Sequence, residues 1–461
     1  METARKLKFT EKLAYGVADF PEAANSILAA FLTMFYTDSI GMAAGVVGTM
    51  FFVSKIFDGV SDILAGALID NTKTRWGKAR PWLLWLSVPA GLALALIFFI
   101  SPDASPTSQL IYAFVTYNLF TAVMYTIVGV ARSSLLALMT QDPQQRGAMA
   151  TFGMFFGLGG TILGCSVTFP LVFRLGGDIR AWRILFLIYG AIVAAGLIAG
   201  FFMSHEYVVS VGAATKTEEK ISFPQALKLF FTNKYLIIAL IMTVLVNFVT
   251  QVTSSSQTYF YTYTMGNALL TTSLNLVSVV PILGGIVVLV GPCLAKFGKR
   301  KCMYIGIFGQ LIGNVIRGIA GMTQNVPLLV VGTIVAGAVT GLLAVPVSTL
   351  FADGIDYGEY KTNKRIEGMG SAITSFSQKI SSGIAMASVG WILALTGYVQ
   401  NEVQSSATNM GIITLYSWMP AITLVIVFLV LRFLYDYDRE GTMVIEELER
   451  RKRENAANQE S

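Results

Sequence analysis

The stretch KIFDGVSDILAGALIDNTKTRWGKARPW, residues 55–82, sets an apolar helical run against charges that do not belong in one. The segments around it are long and apolar enough to cross a bilayer, which takes about 20 residues. Yet Lys55, Asp58 and Asp62 lie inside the run. On insertion scales a charge at the centre of a bilayer helix costs about 2.5–3.5 kcal/mol. Something must make these three tolerable.

The chain around the stretch has the composition of an integral membrane protein. Of its 461 residues, 54% are hydrophobic and only 13% charged, against about 25% charged in soluble domains. The opening METARKLKFTEKLAYG runs from basic residues straight into an apolar segment without a small-residue cleavage site, so no secretory signal peptide is expected. Cys165, Cys293, Cys302 and the lone His205 leave little for a disulfide framework or a His/Cys metal site.

Apolar windows fall near 13–36, 45–69, 81–100, 109–138, 149–173 and 184–203, and again near 235–262, 270–293, 302–320, 327–352, 369–397 and 410–434. The spacing predicts an all-α membrane protein with twelve spans. Basic residues gather on alternate connections: Arg5/Lys6/Lys8/Lys12, Lys73/Arg75/Lys78/Arg80, Arg146, Lys216/Lys220/Lys228/Lys234, Lys296/Lys299/Arg300/Lys301, Lys361/Lys364/Arg365 and Arg450/Arg451/Lys452/Arg453. The intervening loops lack Lys and Arg except at Arg174–Arg183. The positive-inside rule puts both termini in the cytoplasm of a multi-pass plasma-membrane protein. It also explains the net charge of +6 without nucleic acid.

A polar connection at 204–234 divides the windows six and six, giving bundles over 1–203 and 235–434 and a charged tail over 435–461. RWGKAR at 75–80 has an echo in KFGKRK at 296–301, a shift of 221 residues, and each follows the second window of its half. A tight basic turn that clamps helix ends accounts for either alone. Finding it twice favours duplicated bundles, the build of many secondary transporters. SFPQALKLFF at 222–231 is either an amphipathic helix on the membrane surface or the lead-in to the seventh span.

Asp58 and Asp62 are one helical turn apart on one face. Two carboxylates so close in low dielectric need a counter-charge. It could come from a proton, from a bound Na⁺ held by hard oxygen ligands, or from a basic side chain such as Lys55, three residues before Asp58. Other polar residues at membrane depth are candidates for the same cavity. They are Asp19 and Glu22 beside Pro21, Tyr125, Thr126 and Arg132 in MYTIVGVARSS, Asn247, Gln251 and Gln257 in NFVTQVTSSSQTYFY, and Lys379 in SFSQKISSG. For the Ser/Thr-rich seventh span, helix-to-helix bonding is an equal account. For Lys379 the plainer account is an interhelical salt bridge.

These residues carry a resemblance. Residues 58–82, with KLAYGVADF at 12–20, FYTD at 35–38 and DYGEYKTNKRIEG at 356–368, resemble the signatures of the glycoside–pentoside–hexuronide:cation symporters, the group containing melibiose permease. The resemblance implies a major-facilitator fold, alternating access and sugar uptake coupled to Na⁺, Li⁺ or H⁺, with no further cofactor. Asp58, Asp62 and Thr126 match the family's cation ligands, and Ser61 stands at its asparagine, which leaves Na⁺ and H⁺ both open. Asp19 matches its sugar-binding carboxylate, Tyr125 lies next to the pocket, and Lys379 matches the lysine facing the cation site. Lys55, Lys379, Arg75, Lys78 and Arg80 are the candidates for coupling and gating.

The departures bear on substrate. Gly129, Ser133, Met154 and Ala344 stand where melibiose permease has, in turn, an aspartate, a tryptophan, an arginine and a tryptophan. Arg132 lies on roughly the face of Gly129. It pairs either with Glu22 or Asp19, or with a substrate carboxylate or sulfonate, which guanidinium grips bidentately. The expected cargo is thus a neutral or anionic glycoside. An exchanger on the same fold is the alternative. An enzyme is not expected, since no nucleophile–base pairing shows at membrane depth. A non-transporting sensor would usually carry a larger soluble domain.

Overall fold

Pro21 fixes the first feature of the fold. Its ring cannot share a helix with the carbonyl four residues earlier, that of Val17. The first span therefore breaks at Ala18–Asp19, and Phe20–Met34 starts afresh with Asp19 at its N-cap. We label this span α1, residues 9–39, ending in a π turn at Phe35–Ser39. The structure, a computed structural model, describes residues 7–140, 142–207, 223–362, 367–437, 441, 443–444 and 446–451. Among these the regular structure is helical, joined by short turns and coil, with an isolated bridge between Thr74 and Gly77.

The remaining spans follow in order. They are α2 (Ala44–Asp70), α3 (80–99), α4 (Pro106–Met139, with a π turn at Leu119–Tyr125), α5 (Pro143–Arg174) and α6 (Ile179–Met203). A short helix at Phe223–Thr232 precedes α7 (Lys234–Thr264, with a π turn at Phe260–Thr264). One continuous helical run, Leu270–Thr323, contains α8 (270–297) and α9 (299–323), parted at Gly298, whose φ is +74°. Then come α10 (Val326–Thr362), α11 (Glu367–Leu395) and α12 (Ser406–Phe433). Among the described residues, each apolar window of the sequence falls on one of these twelve helices. α10 is the departure: it continues ten residues beyond the apolar window that ends at 352, to Thr362. Asp353 is kept in helix there by Lys299, whose Nζ lies 2.7 and 2.9 Å from its carboxylate oxygens.

The chain forms two compact units. One contains Met1–Ala214, Ser254–Leu276 and Gly383–Ile412; the other contains Thr215–Thr253, Val277–Ser382 and Ile413–Ser461. In the first, Phe31, Phe35, Phe98, Phe169, Trp182 and Phe186 form one aromatic core. α3 and α6 approach until Gly91 and Gly190 leave no room for a Cβ on either. In the second, Gly306, Gly309 and Gly313 of α9 face Leu343, Val339 and Ala336 of α10 in the same way. Close backbone approach at small residues is how helices gain packing where lipid is as apolar as their side chains. Large apolar side chains such as Phe155, Val280 and Val287 are exposed, as a hydrocarbon-facing surface requires.

Candidate functional site

α2 carries the charges of the opening stretch. Asp58 is buried, and the Nζ of Lys55 donates to its Oδ2 at 2.6 Å. Asp62, one turn on, is half-buried. The hydroxyl of Ser61 donates to the backbone carbonyl of Asp58 at 2.9 Å, so its oxygen keeps lone pairs for a ligand. α2 packs on α4, where Asn118 donates to Ser54 at 2.8 Å and the Tyr117 ring centroid lies 5.5 Å from the Lys55 ammonium. Thr126 follows the π turn of α4 and is buried, its hydroxyl donating to the Thr121 carbonyl at 3.1 Å. π turns of this kind are frequent at functional sites.

A second polar cluster lies between α1, α4 and α5. Arg132 Nη2 sits 2.9 Å from Asp19 Oδ1, and its guanidinium lies 5.1 Å from the Tyr15 ring centroid. The Tyr125 hydroxyl donates to Glu22. Of the two pairings open to Arg132 within the protein, the structure forms the one with Asp19. Gly153 and Gly157 of α5 make it possible: a Cβ at Gly157 would lie 2.8 Å from Asp19 Oδ2, and one at Gly153 would lie 3.1 Å from Arg132 Nη1. A Cβ at Gly129 would meet nothing within 4 Å, so the space beside Arg132 is open. Met154 is exposed, and the Ser133 hydroxyl donates to the Gly129 carbonyl. Lys379 lies half-buried on α11, in the second unit.

The basic turn at 75–80 is a clamp. Glu206, just past α6, accepts from the backbone N–H groups of Lys78 (3.1 Å), Ala79 (2.9 Å) and Arg80 (2.8 Å). Arg80 Nε donates to the Phe201 carbonyl at 2.7 Å, Lys78 pairs with Asp70 at 3.3 Å, and Arg75 stacks on Trp76. Gly77 has φ +108°, and the Glu206 carboxylate fills the place of its Cβ. A left-handed conformation with no room for a side chain admits only glycine. Gly298, its counterpart in KFGKRK, is also left-handed, with the Lys299–Asp353 pair beside it.

The π turns of α1 and α7 expose a third cluster that hydropathy conceals. Asp38 accepts from Thr37 (2.6 Å), Tyr263 (2.6 Å) and Tyr398 (2.5 Å). Asn401 donates its side-chain amide to the Asp38 carbonyl and its backbone N–H to Tyr263, while Thr37 and Tyr259 share a 2.8 Å bond. FYTD flags Asp38 in the sequence. Its tyrosine partners lie in distant segments that carry no signal of their own.

The pattern for MFS/sugar transport proteins matches residues 14–439. The chain belongs to that family. It is 32% identical over 449 residues to the isoprimeverose transporter of Lactiplantibacillus pentosus, covering 96% of this chain and 92% of that one. It is 29% identical over 440 residues to the glucuronide carrier protein homolog of Escherichia coli strain K12, covering 92% of each. The crystal structure of a D-xylose–proton symporter shares the fold, with a TM-score of 0.66 at 18% identity over 93% of this chain and 98% of that one. The chain is thus a member of the major facilitator superfamily, in its glycoside–pentoside–hexuronide:cation branch. The departures at Gly129, Ser133, Met154 and Ala344 lie within the matched region of this sugar transporter.

Proposed function

We propose that the protein imports a glycoside, pentoside or hexuronide together with Na⁺, Li⁺ or H⁺, by rocking of two six-helix bundles, 1–203 and 235–434, about a central site. The observation that carries the proposal is the buried Asp58 on α2, with Asp62 one turn away, in a chain of this family. Asp58, Ser61, Asp62 and Thr126 would supply the oxygens for the cation. Asp19, Tyr125, Arg132 and Lys379 would line the substrate site. Lys55, Arg75, Lys78 and Arg80 would serve coupling and gating. The basic loops and both termini face the cytoplasm of a bacterial inner membrane, and the Asp38 cluster closes the opposite face.

The cation binds first and relieves repulsion on α2, so that sugar engages Asp19 and Tyr125. Each ligand then binds more tightly in the presence of the other, by the same factor. Arg132 favours a second element: an anionic sugar group can take the guanidinium that Asp19 now holds at 2.9 Å. Uptake into proteoliposomes tests the scheme, with neutral glycosides, pentosides and hexuronides under an inward Na⁺ gradient, an inward H⁺ gradient or neither. Accumulation driven by one gradient is expected. Equilibration without accumulation under every gradient would leave exchange as the activity.

A further inference from the structure

We propose that a cavity at one end of the first unit seats an acyl chain of a membrane phospholipid, and that this chain braces Tyr398 in its bond to Asp38. The site stands apart from the transport scheme. The brace rests on the reading that the Asp38 cluster closes its face of the protein.

The cavity measures about 920 Å³ and lies among α2, α4 and the end of α11, all within the first unit. Sites for small molecules run to about 300–1,000 Å³. Along α2 the cavity extends from Ala43 to Val53, which is about 15 Å of helix. The hydrocarbon core of a bilayer is about 30 Å thick, so the cavity is as long as the chains of one leaflet. Its leaflet is the one opposite the basic turn at 75–80, which follows the other end of α2. The walls are pinned: Trp391 of α11 donates to Thr49 of α2 at 3.0 Å, and a Cβ at Gly45 would lie 3.2 Å from Ala394 Cβ.

Chemistry selects the occupant. Val46, Val53 and Ile111 line the cavity and are exposed, so it opens on the hydrocarbon-facing surface. Only two of its lining residues carry a polar side chain, and both hydroxyls are already bonded. Thr49 donates to the Gly45 carbonyl at 2.8 Å and accepts from Trp391, and Tyr398 donates to Asp38 at 2.5 Å. Water finds too few partners in such a space, and a sugar would give up its bonds to water there. A hydrocarbon chain gives up nothing, gains dispersion contacts and is supplied by the bilayer itself.

Tyr398 joins the cavity to the cluster. Its ring lines the cavity while its hydroxyl holds Asp38. Tyr259 and Tyr263 stand edge-on to that ring, with centroids 5.6 and 5.4 Å away. A chain in the cavity adds a further contact, and the hydroxyl then leaves Asp38 less often.

The test uses the full chain in proteoliposomes containing a phosphatidylcholine with a diazirine on one acyl chain. Photolabelling at 43–53 and 394–398 should exceed that at the exposed Val280 and Val287 about fivefold or more. It should fall to their level in Ala394→Phe and in Ile111→Trp, which fill the cavity from two helices. Labelling no higher than at Val280 and Val287, or unchanged in both variants, would overturn the site; the first is also the result if a second copy covers the cavity. The brace is read from maleimide labelling of Thr33→Cys, a buried position on α1, in a background lacking Cys165, Cys293 and Cys302. Labelling should be about threefold slower in dioleoylphosphatidylcholine than in diphytanoylphosphatidylcholine, whose methyl branches keep its chains out. The two lipids should give equal rates in Ala394→Phe. Equal rates in the unfilled protein would overturn the brace. Tyr398→Phe, run alongside, tests the closing role of the cluster: if it leaves the labelling unchanged, that reading fails and the brace with it, while photolabelling still decides the site.

Discussion

Replacing Tyr263 and Tyr398 together by phenylalanine should open the protein at the Asp38 end. Each substitution removes one hydroxyl from the Asp38 carboxylate, from 2.6 Å and 2.5 Å, and leaves the ring in place. A hydrogen bond to a charged group contributes about 1.5–3 kcal/mol net. Water replaces the lost donors once the cluster opens, so the lower figure applies. Two such bonds amount to about 3 kcal/mol, which shifts a two-state population by on the order of a hundredfold. Thr37, 2.6 Å from the carboxylate, remains as a third donor and limits the effect. The reporter is Thr33→Cys, one turn below Thr37 at a position only 2% exposed, in a background lacking the buried Cys165, Cys293 and Cys302. Its rate of labelling by a membrane-impermeant maleimide should rise about tenfold or more in the double variant, with each single variant in between. An unchanged labelling rate, with the variant still transporting, would show that the cluster does not hold this face shut.

Other variants probe the remaining contacts. Arg132→Gln should reduce hexuronide uptake by about tenfold to a hundredfold and that of neutral pentosides much less; equal losses would remove the anionic-substrate account. Gly157→Ala places a Cβ 2.8 Å from Asp19 Oδ2 and should weaken substrate binding about tenfold, about 1.4 kcal/mol, at normal expression. Unaltered affinity would mean that Asp19 has room to move. Gly77→Ala meets both a left-handed φ of +108° and the Glu206 carboxylate, and should lower thermal stability in detergent more than Glu206→Gln, which costs about 1–3 kcal/mol. The reverse order would mean that the turn can rearrange.

Much of the helical frame was legible because a bilayer demands long apolar runs. α2 spans 44–70 where the window is 45–69. The far end of α10 was not legible, because hydropathy measures burial in lipid while the helix continues on polar residues held by Lys299. π turns are equally silent, since one additional residue in a turn leaves apolarity unchanged. Charge cost singled out Lys55, Asp58 and Asp62, and spacing anticipated the bond between the first two. That Arg132 chooses Asp19 over Glu22 depends on Gly153 and Gly157 of α5, and no periodicity in α1 or α4 reveals it. Glu206 is one of three acids in a polar connection until the fold delivers three amides to it.

The contact between Asp19 and Arg132 has a consequence for affinity. A carboxylate tethered 2.9 Å from the guanidinium is a resident competitor for any anionic cargo. Only the fraction of molecules in which it has let go can accept such a cargo by that group, so the observed dissociation constant is the intrinsic one divided by that fraction. The same tether would speed departure of an anionic cargo: as it loosened, Asp19 would recapture the arginine and block rebinding. A carrier gains from both, because its turnover depends on letting go at the far side as much as on holding at the near one.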